Sequence, residues 1–480
     1  MLVVVSLYAL ASAFLVVVGL HLGALAWVRV RRPPRPVPEA WPEAWPPVLV
    51  QVPVYNEPTG LVGRVLDAIG RTAYAGSVHI QLLDDSTDGS AAENAAICAA
   101  RGVEHVRRGS REGFKAGALA AGLDRSDAPF AAVLDVDFVP PPDFLTRTVG
   151  ALLADDGLAF AQARWAHPDA EATALGRVQA AVLDVHFAVE QGGRDRAALP
   201  IAFNGTAGTW CTAAIEDVGG WSGDTLAEDL DLALRAQLGG WRARLLDDLA
   251  VPATLPPTLA AWRVQQTRWT KGGVEVGRKL LGRVWRSGLP LVTRVAVTLQ
   301  TLVALALPAL LVVVLLHPWL AIGQATGAAP TAVLQALSAG YLALMGVLFA
   351  HIVAQRALYP ATWRRRLARI PLVLAAPLAL VGPCSRGVAE ALAGRRSPFV
   401  RTPKDGGPGS GRVPVGDVLL ALYSVGGAVA VGAVGAWAAL PFQAILAVGS
   451  VALVVSLRAD GAGAASVSEP LAERARATAA

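Results

Sequence analysis

Phe130-Ala131-Ala132-Val133-Leu134-Asp135-Val136-Asp137-Phe138 is a short apolar run that ends on two aspartates separated by one residue. Bounded by polar residues, a run of this length reads as a buried strand. Similar runs lie at 48–54, 78–83, 103–106 and 158–161, alternating with helical patterns. That rhythm predicts a mainly parallel sheet covered by helices. Ligands of such sheets collect beyond the carboxyl ends of the strands, which is where the polar motifs of this chain fall.

Oxygen ligands one residue apart, as in Asp135 and Asp137, can meet a hard divalent cation that also takes the two phosphates of a nucleotide-sugar. A lone D-x-D is a common pattern; its weight here comes from the other polar residues on the same sheet edge. The strand 48–54 runs into Tyr55-Asn56-Glu57, where Asn56 and Glu57 either cap the next helix or face a ligand. The strand 78–83 runs into Asp84-Asp85-Ser86-Thr87-Asp88-Gly89. Turn formation accounts for Asp88 and Gly89, but the adjacent charges of Asp84 and Asp85 need a cation or polar ligand to offset them. Lys115 opens a helix after Gly113 and opposes its dipole, so it is either a solvated lysine or a phosphate ligand. Glu228 and Asp229 begin another helix, where they serve its amino terminus or Asp229 acts as general base. In Gln265-Gln266-Thr267-Arg268-Trp269 the indole offers a flat face to a sugar ring and Arg268 a fork to phosphate. The same stretch also reads as an amphipathic helix on a membrane surface, and both can hold.

With 480 residues, 54% of them hydrophobic, and a mean hydropathy of +0.46, the chain is too apolar for an ordinary soluble enzyme. Residues 2–28 carry no charge and precede Arg29, Arg31, Arg32 and Arg35, which predicts a membrane anchor spanning 1–30 with its arginines in the cytosol. A cleaved signal peptide would carry its charges before the apolar run. Further spans are predicted at 289–316, 331–354, 415–439 and 440–457, with 317–330 as an outer link. The proline-rich stretch 370–383 is flanked by arginines and reads as re-entrant or interfacial. The tail 458–480 reads as disordered. Cys98, Cys211 and Cys384 are scattered without ligand-like spacing and fit a reducing cytosol. The net charge of +5 comes from arginines beside apolar segments, so nucleic acid is not an expected partner.

Together these motifs, in the order D, D-x-D, E-D and Q-x-x-R-W, resemble the processive family 2 glycosyltransferases over about 46–275. The wording is most similar to the cellulose synthase-like A group, the glucomannan mannan synthases, and their bacterial relatives. Leu83 to Asp88, Phe203-Asn204-Gly205-Thr206-Ala207-Gly208 and Phe399-Val400-Arg401-Thr402-Pro403-Lys404 also carry the likeness. The resemblance implies a Rossmann-like α/β GT-A domain in the cytosol joined to an α-helical transmembrane region. It implies that Tyr55, Glu57, Asp84, Asp85, Lys115 and Asp135 hold the donor. Asp135 and Asp137 would bind a divalent cation, Mg²⁺ or Mn²⁺, while Glu228, Gln265, Arg268 and Trp269 serve the diphosphate and acceptor, and Asp229 is the base. The implied activity is inverting transfer of a hexose from GDP-mannose or UDP-glucose to a β-linked polysaccharide at the plasma (inner) membrane. A single-step glycolipid synthase acting on diacylglycerol is the alternative, and a transporter that senses sugar nucleotides is the rival from another class. Ala227 departs from the threonine or valine common before the E-D pair. No long cytosolic carboxyl-terminal domain is visible, so control by a cyclic dinucleotide is not expected.

Overall fold

The computed structural model describes residues 2–36, 42–329, 332–397, 399–404 and 413–462. The five anticipated strands form as β1 (Val48–Val54), β2 (Val78–Asp84), β3 (Glu104–Val106), β4 (Phe130–Val133) and β5 (Leu158–Ala166). Two more, β6 (Gly208–Cys211) and β7 (Arg242–Pro252), complete a sheet of order β3-β2-β1-β4-β6-β5-β7. All neighbours pair in parallel except β6, which runs antiparallel between β4 and β5. The sheet is buried on both faces, as helices on each side require, and β1 is accordingly apolar at nearly every position. Phe144 packs into the core on one face, and Phe160, Phe203 and Trp210 into the core on the other.

The helix Leu259–Arg286 closes the α/β unit and carries the Q-x-x-R-W residues. Among the described residues, six helical stretches are long and apolar enough to cross a bilayer, beginning with Val3–Arg31 and ending with Leu440–Arg458. The arginines after the first helix are fastened to the α/β unit: Arg29 pairs with Asp247, and Arg244 donates to the Arg35 carbonyl at 2.7 Å. The first helix crosses the one at Ala332–Leu358 at glycines, with Gly19 and Gly346 in backbone contact; a Cβ on Gly346 would fall 1.9 Å from Gly19 O.

The helix after the α/β unit differs from its expected limits. It does not end at Leu316 but runs as Ala306–Ala325 through Pro318. A proline inside a helix frees carbonyls one turn earlier. Here Pro318 leaves the Val314 carbonyl without its helical partner, and the neighbouring Leu315 O accepts the Tyr423 hydroxyl.

The stretch 370–383 is likewise not a short segment but the front of an unbroken helix, Ile370–Leu392. Pro383 deprives the Ala379 carbonyl of its helical partner, and Arg263 Nε donates to that oxygen at 2.6 Å. The same guanidinium forks onto Asp417 at 2.7 and 2.9 Å. Both ends of this helix meet the α/β unit: Arg369 pairs with Glu171 at the start, and Glu390 with Lys271 at the finish. The last helix runs to Ala462, past the expected limit at 457, and residues 463–480 lie outside the described ones.

Candidate active site

The carboxyl ends of β1, β2 and β4, the amino ends of two helices and the Phe399–Lys404 stretch surround one cavity. Tyr55, Glu57, Asp85, Lys115, Asp135, Asp137, Glu228, Asp229, Gln265, Arg268 and Trp269 all line it. Asp84 does not. Successive residues of a strand point to opposite faces, so Asp84 turns under the sheet while Asp85 turns up. Asp84 accepts from Ser86 N at 2.8 Å and Asn94 Nδ2 at 3.1 Å, and meets His105 Nε2 at 2.9 Å. Burial opposes its ionisation, but these hydrogen bonds outweigh it and hold the carboxyl below the usual aspartate range. Expected among the donor residues, Asp84 lies outside the cavity lining, and its hydrogen bonds fix the loop beneath Asp85. Asp85 itself is gripped by Arg108, whose Nε donates at 3.0 Å.

Neither Asn56 nor Glu57 caps the helix Thr59–Ile69. Asn56, at φ +50°, accepts from Thr87 N at 2.9 Å and ties the first polar loop to the second. Glu57 is buried between Arg401, at 2.8 Å, and Lys404, at 3.4 Å. Burial raises its pKa, and the two cations pull against that rise.

The two aspartates of the D-x-D each face a lysine. Lys115 Nζ donates to Asp135 Oδ1 at 2.6 Å and to Gly205 O at 3.0 Å. Lys404 Nζ donates to Asp137 Oδ1 at 2.8 Å. A divalent cation fits this donor set: both carboxylates line the cavity and the ammonium groups beside them suit a diphosphate that would complete the coordination. Among the described residues no group of three or more histidine, cysteine or acidic side chains gathers to hold an ion without such help.

Asp229 stands in the first turn of the helix Glu228–Leu238, its Oδ1 accepting from Leu230 N at 2.8 Å. Burial first, and the adjacent Glu228 second, push its pKa up to about 7 against the pull of Leu230 N–H, Lys115 and Arg268. The space before it exists because residue 205 is glycine at φ +76°; a Cβ there would lie 2.9 Å from Asp229 Oδ2. Arg268 stacks over Phe399, 4.6 Å from the ring centre, and its buried Nε has no protein partner. Trp269 leans on Trp165, with 6.1 Å between ring centres.

Several lining residues were not anticipated as site residues: Arg111, His167, Asn204, Arg401 and Lys404. Arg111 lies over the Tyr55 ring at 3.3 Å, a cation–π contact on the cavity wall. His167 is kept neutral, its pKa lowered to about 4 by burial. The cations at 401 and 404 belong to the Phe399–Lys404 stretch that carries the family likeness, and nothing local in the sequence ties it to the sheet edge.

A mainly parallel α/β sheet with an aspartate pair, a helix-terminal carboxylate and an indole-bearing helix around one cavity is a fold of the GT-A type. Residues 49–203 match glycosyl transferase family 2, and residues 131–353 match glycosyl transferase family group 2. The chain is a family 2 glycosyltransferase of the cellulose synthase-like kind. It is 39% identical over 249 residues to glucomannan 4-beta-mannosyltransferase 2 of Arabidopsis thaliana, covering 50% of this chain and 47% of that protein. It is 37% identical over 249 residues to glucomannan 4-beta-mannosyltransferase 1 of Oryza sativa subsp. japonica, covering 50% and 48%. The chain thus spans about half the length of the curated relatives it matches. The solved mannosyltransferase PcManGT from Pyrobaculum calidifontis, in complex with GDP-Man and Mn²⁺, shares the fold with a TM-score of 0.58 at 18% identity. That match covers 82% of this chain and 100% of PcManGT.

Proposed function

We propose that this chain is a membrane-embedded inverting hexosyltransferase that moves mannose from GDP-mannose onto a growing β-linked glycan. The observation that carries this reading is the placement of Asp229, a carboxylate tuned to about 7, in one cavity with the D-x-D pair and Trp269. The glucomannan 4-beta-mannosyltransferase relatives support mannose ahead of glucose as the transferred sugar.

In this scheme Asp135 and Asp137 would hold Mg²⁺ or Mn²⁺, and the cation would supply Lewis-acid stabilisation of the leaving group. Asp229 takes the proton of an acceptor hydroxyl, whose oxygen forms the new bond to the anomeric carbon as the bond to the diphosphate breaks. Displacement on an α-linked donor gives a β-linked product. Lys115 and Arg268 offset the charge that develops on the departing nucleoside diphosphate. Tyr55, Glu57 and Asp85 shape the nucleotide end, while Glu228, Gln265 and Trp269 seat the diphosphate and the acceptor sugar.

In this reading the helix Ile370–Leu392, which meets the α/β unit at both ends, lies along the membrane surface, leaving five of the six apolar stretches to cross and the α/β unit in the cytosol. A screen of nucleotide-sugars against membranes holding the protein, with Asp229→Asn as control and product size measured, tests the proposal. GDP-mannose-dependent polymer lost in the variant upholds it; one mannose per lipid would replace the polymer by a glycolipid.

A further inference from the structure

The segment His186–Gln191 leaves α geometry for one turn of π-helix, a form concentrated at functional sites. It sets His186 Nδ1 2.7 Å from Glu190 Oε2 and His186 Nε2 2.9 Å from Asn204 Oδ1. Asn204 lines the cavity next to Gly205, the glycine that opens the space before Asp229. Its backbone N–H is held by Gln162 Oε1 at 2.9 Å, while its side-chain Nδ2 is buried with no partner in the protein. Buried amide donors are nearly always paired, so an unpaired one on a cavity wall points to a ligand acceptor.

The proton count on His186 decides which end of the Asn204 amide is left over. A carboxylate only accepts, so Glu190 keeps a proton on Nδ1. With a second proton on Nε2 the ring donates to Asn204 Oδ1, and Nδ2 is left for a ligand. With Nε2 bare the ring accepts, and the amide must turn and leave Oδ1 instead. The other charge facing His186 is Arg194, which donates to the Ala296 carbonyl at 3.0 Å and meets His21 of the first helix at 3.1 Å. Burial and Arg194 oppose a charged ring, but Glu190 and Asn204 outweigh them, and the pKa of His186 lies above its ordinary value.

We propose that Asn204 reads a hydroxyl of the transferred hexose through its Nδ2–H, and that His186 and Glu190 are positioning residues that fix its amide. The inference rests on the proposed sugar transfer and deepens it by naming a residue that senses the sugar rather than the nucleotide.

Calorimetric titration of the purified full chain with GDP and with GDP-mannose, each with Mn²⁺, separates the two claims. Asn204→Ala should bind GDP as the wild type does and GDP-mannose roughly tenfold more weakly, the loss of one hydrogen bond. Asn204→Ser, which retains a donor, should fall between. Glu190→Gln removes the charge that favours the imidazolium, so its GDP-mannose affinity should fall at pH 8 and recover toward pH 6 as His186 gains its proton. Wild-type GDP-mannose affinity in Asn204→Ala, or an equal loss for GDP and GDP-mannose, would overturn the sugar contact. A loss in Glu190→Gln that ignores pH would overturn the positioning role. Failure of the wild type to bind either ligand would remove the transfer reading itself, and this inference with it.

Discussion

Replacing Glu228 by glutamine tests the base assignment without touching the base. Burial and the neighbouring Glu228 carboxylate together lift Asp229 from 3.8 to about 7, with burial the larger cause. A base works only when deprotonated, so the rate rises with pH through that value. With a pKa near 7, about nine-tenths of Asp229 is carboxylate at pH 8 and about a tenth at pH 6, a roughly tenfold fall in kcat/KM. Glu228→Gln removes a like charge and leaves the burial, so the acidic limb should move down by about one unit and not return to the ordinary aspartate range. At pH 6 the variant would then keep about half of its own plateau rate. The assay is release of GDP from GDP-mannose between pH 5.5 and 8.5, each protein normalised to its plateau, which makes the comparison independent of any loss of diphosphate or acceptor binding. A limb that stays in place in Glu228→Gln, or a wild-type rate flat from pH 6 to 8, would refute the reasoning.

Asp137→Ala should abolish transfer and weaken Mn²⁺-dependent GDP binding, and EDTA should stop wild-type turnover; titration calorimetry and a product assay check both. Trp269→Ala should cut glycan synthesis at least tenfold while leaving GDP affinity unchanged, because an indole stacked on an acceptor ring adds little to nucleotide binding. In intact cells Thr326→Cys should react with an impermeant maleimide and Arg365→Cys should not; the reverse pattern would invert the topology and place the cavity on the wrong side for a cytosolic donor.

The parallel core was legible because its strands are continuous apolar runs, and the aspartate pair sits where such a run ends. β6 was not, since Gly208-Thr209-Trp210-Cys211 is too short and mixed to announce a strand, and it is fixed by pairing with β4 and β5. β7 carries Arg242, Arg244, Asp247 and Asp248, which hid its alternation. Adjacent aspartates at 84 and 85 look alike in sequence; only the pleat decides that one faces the cavity and the other the underside. The helices through Pro318 and Pro383 run past their expected ends, and the groups that donate to their carbonyls, Tyr423 to Leu315 O and Arg263 to the Ala379 O that Pro383 frees, come from elsewhere in the chain. The contacts of Arg401 and Lys404 with Glu57 and Asp137 span more than two hundred residues, and no local pattern encodes them.

The glycine crossing between Gly19 and Gly346 also sets an order of events during synthesis. The first helix enters the bilayer roughly 300 residues before its partner exists, an interval on the order of 15 to 60 s at ordinary elongation rates. For that time a face shaped for backbone contact has only lipid against it, and lipid chains pack poorly into a groove made for another helix. Assembly of the membrane region is therefore a late step, completed after the α/β unit has left the ribosome. A bulky residue at position 19 would then act on yield before it acted on catalysis: the sheet and its cavity would already be folded when the helix Ala332–Leu358 arrived and failed to dock.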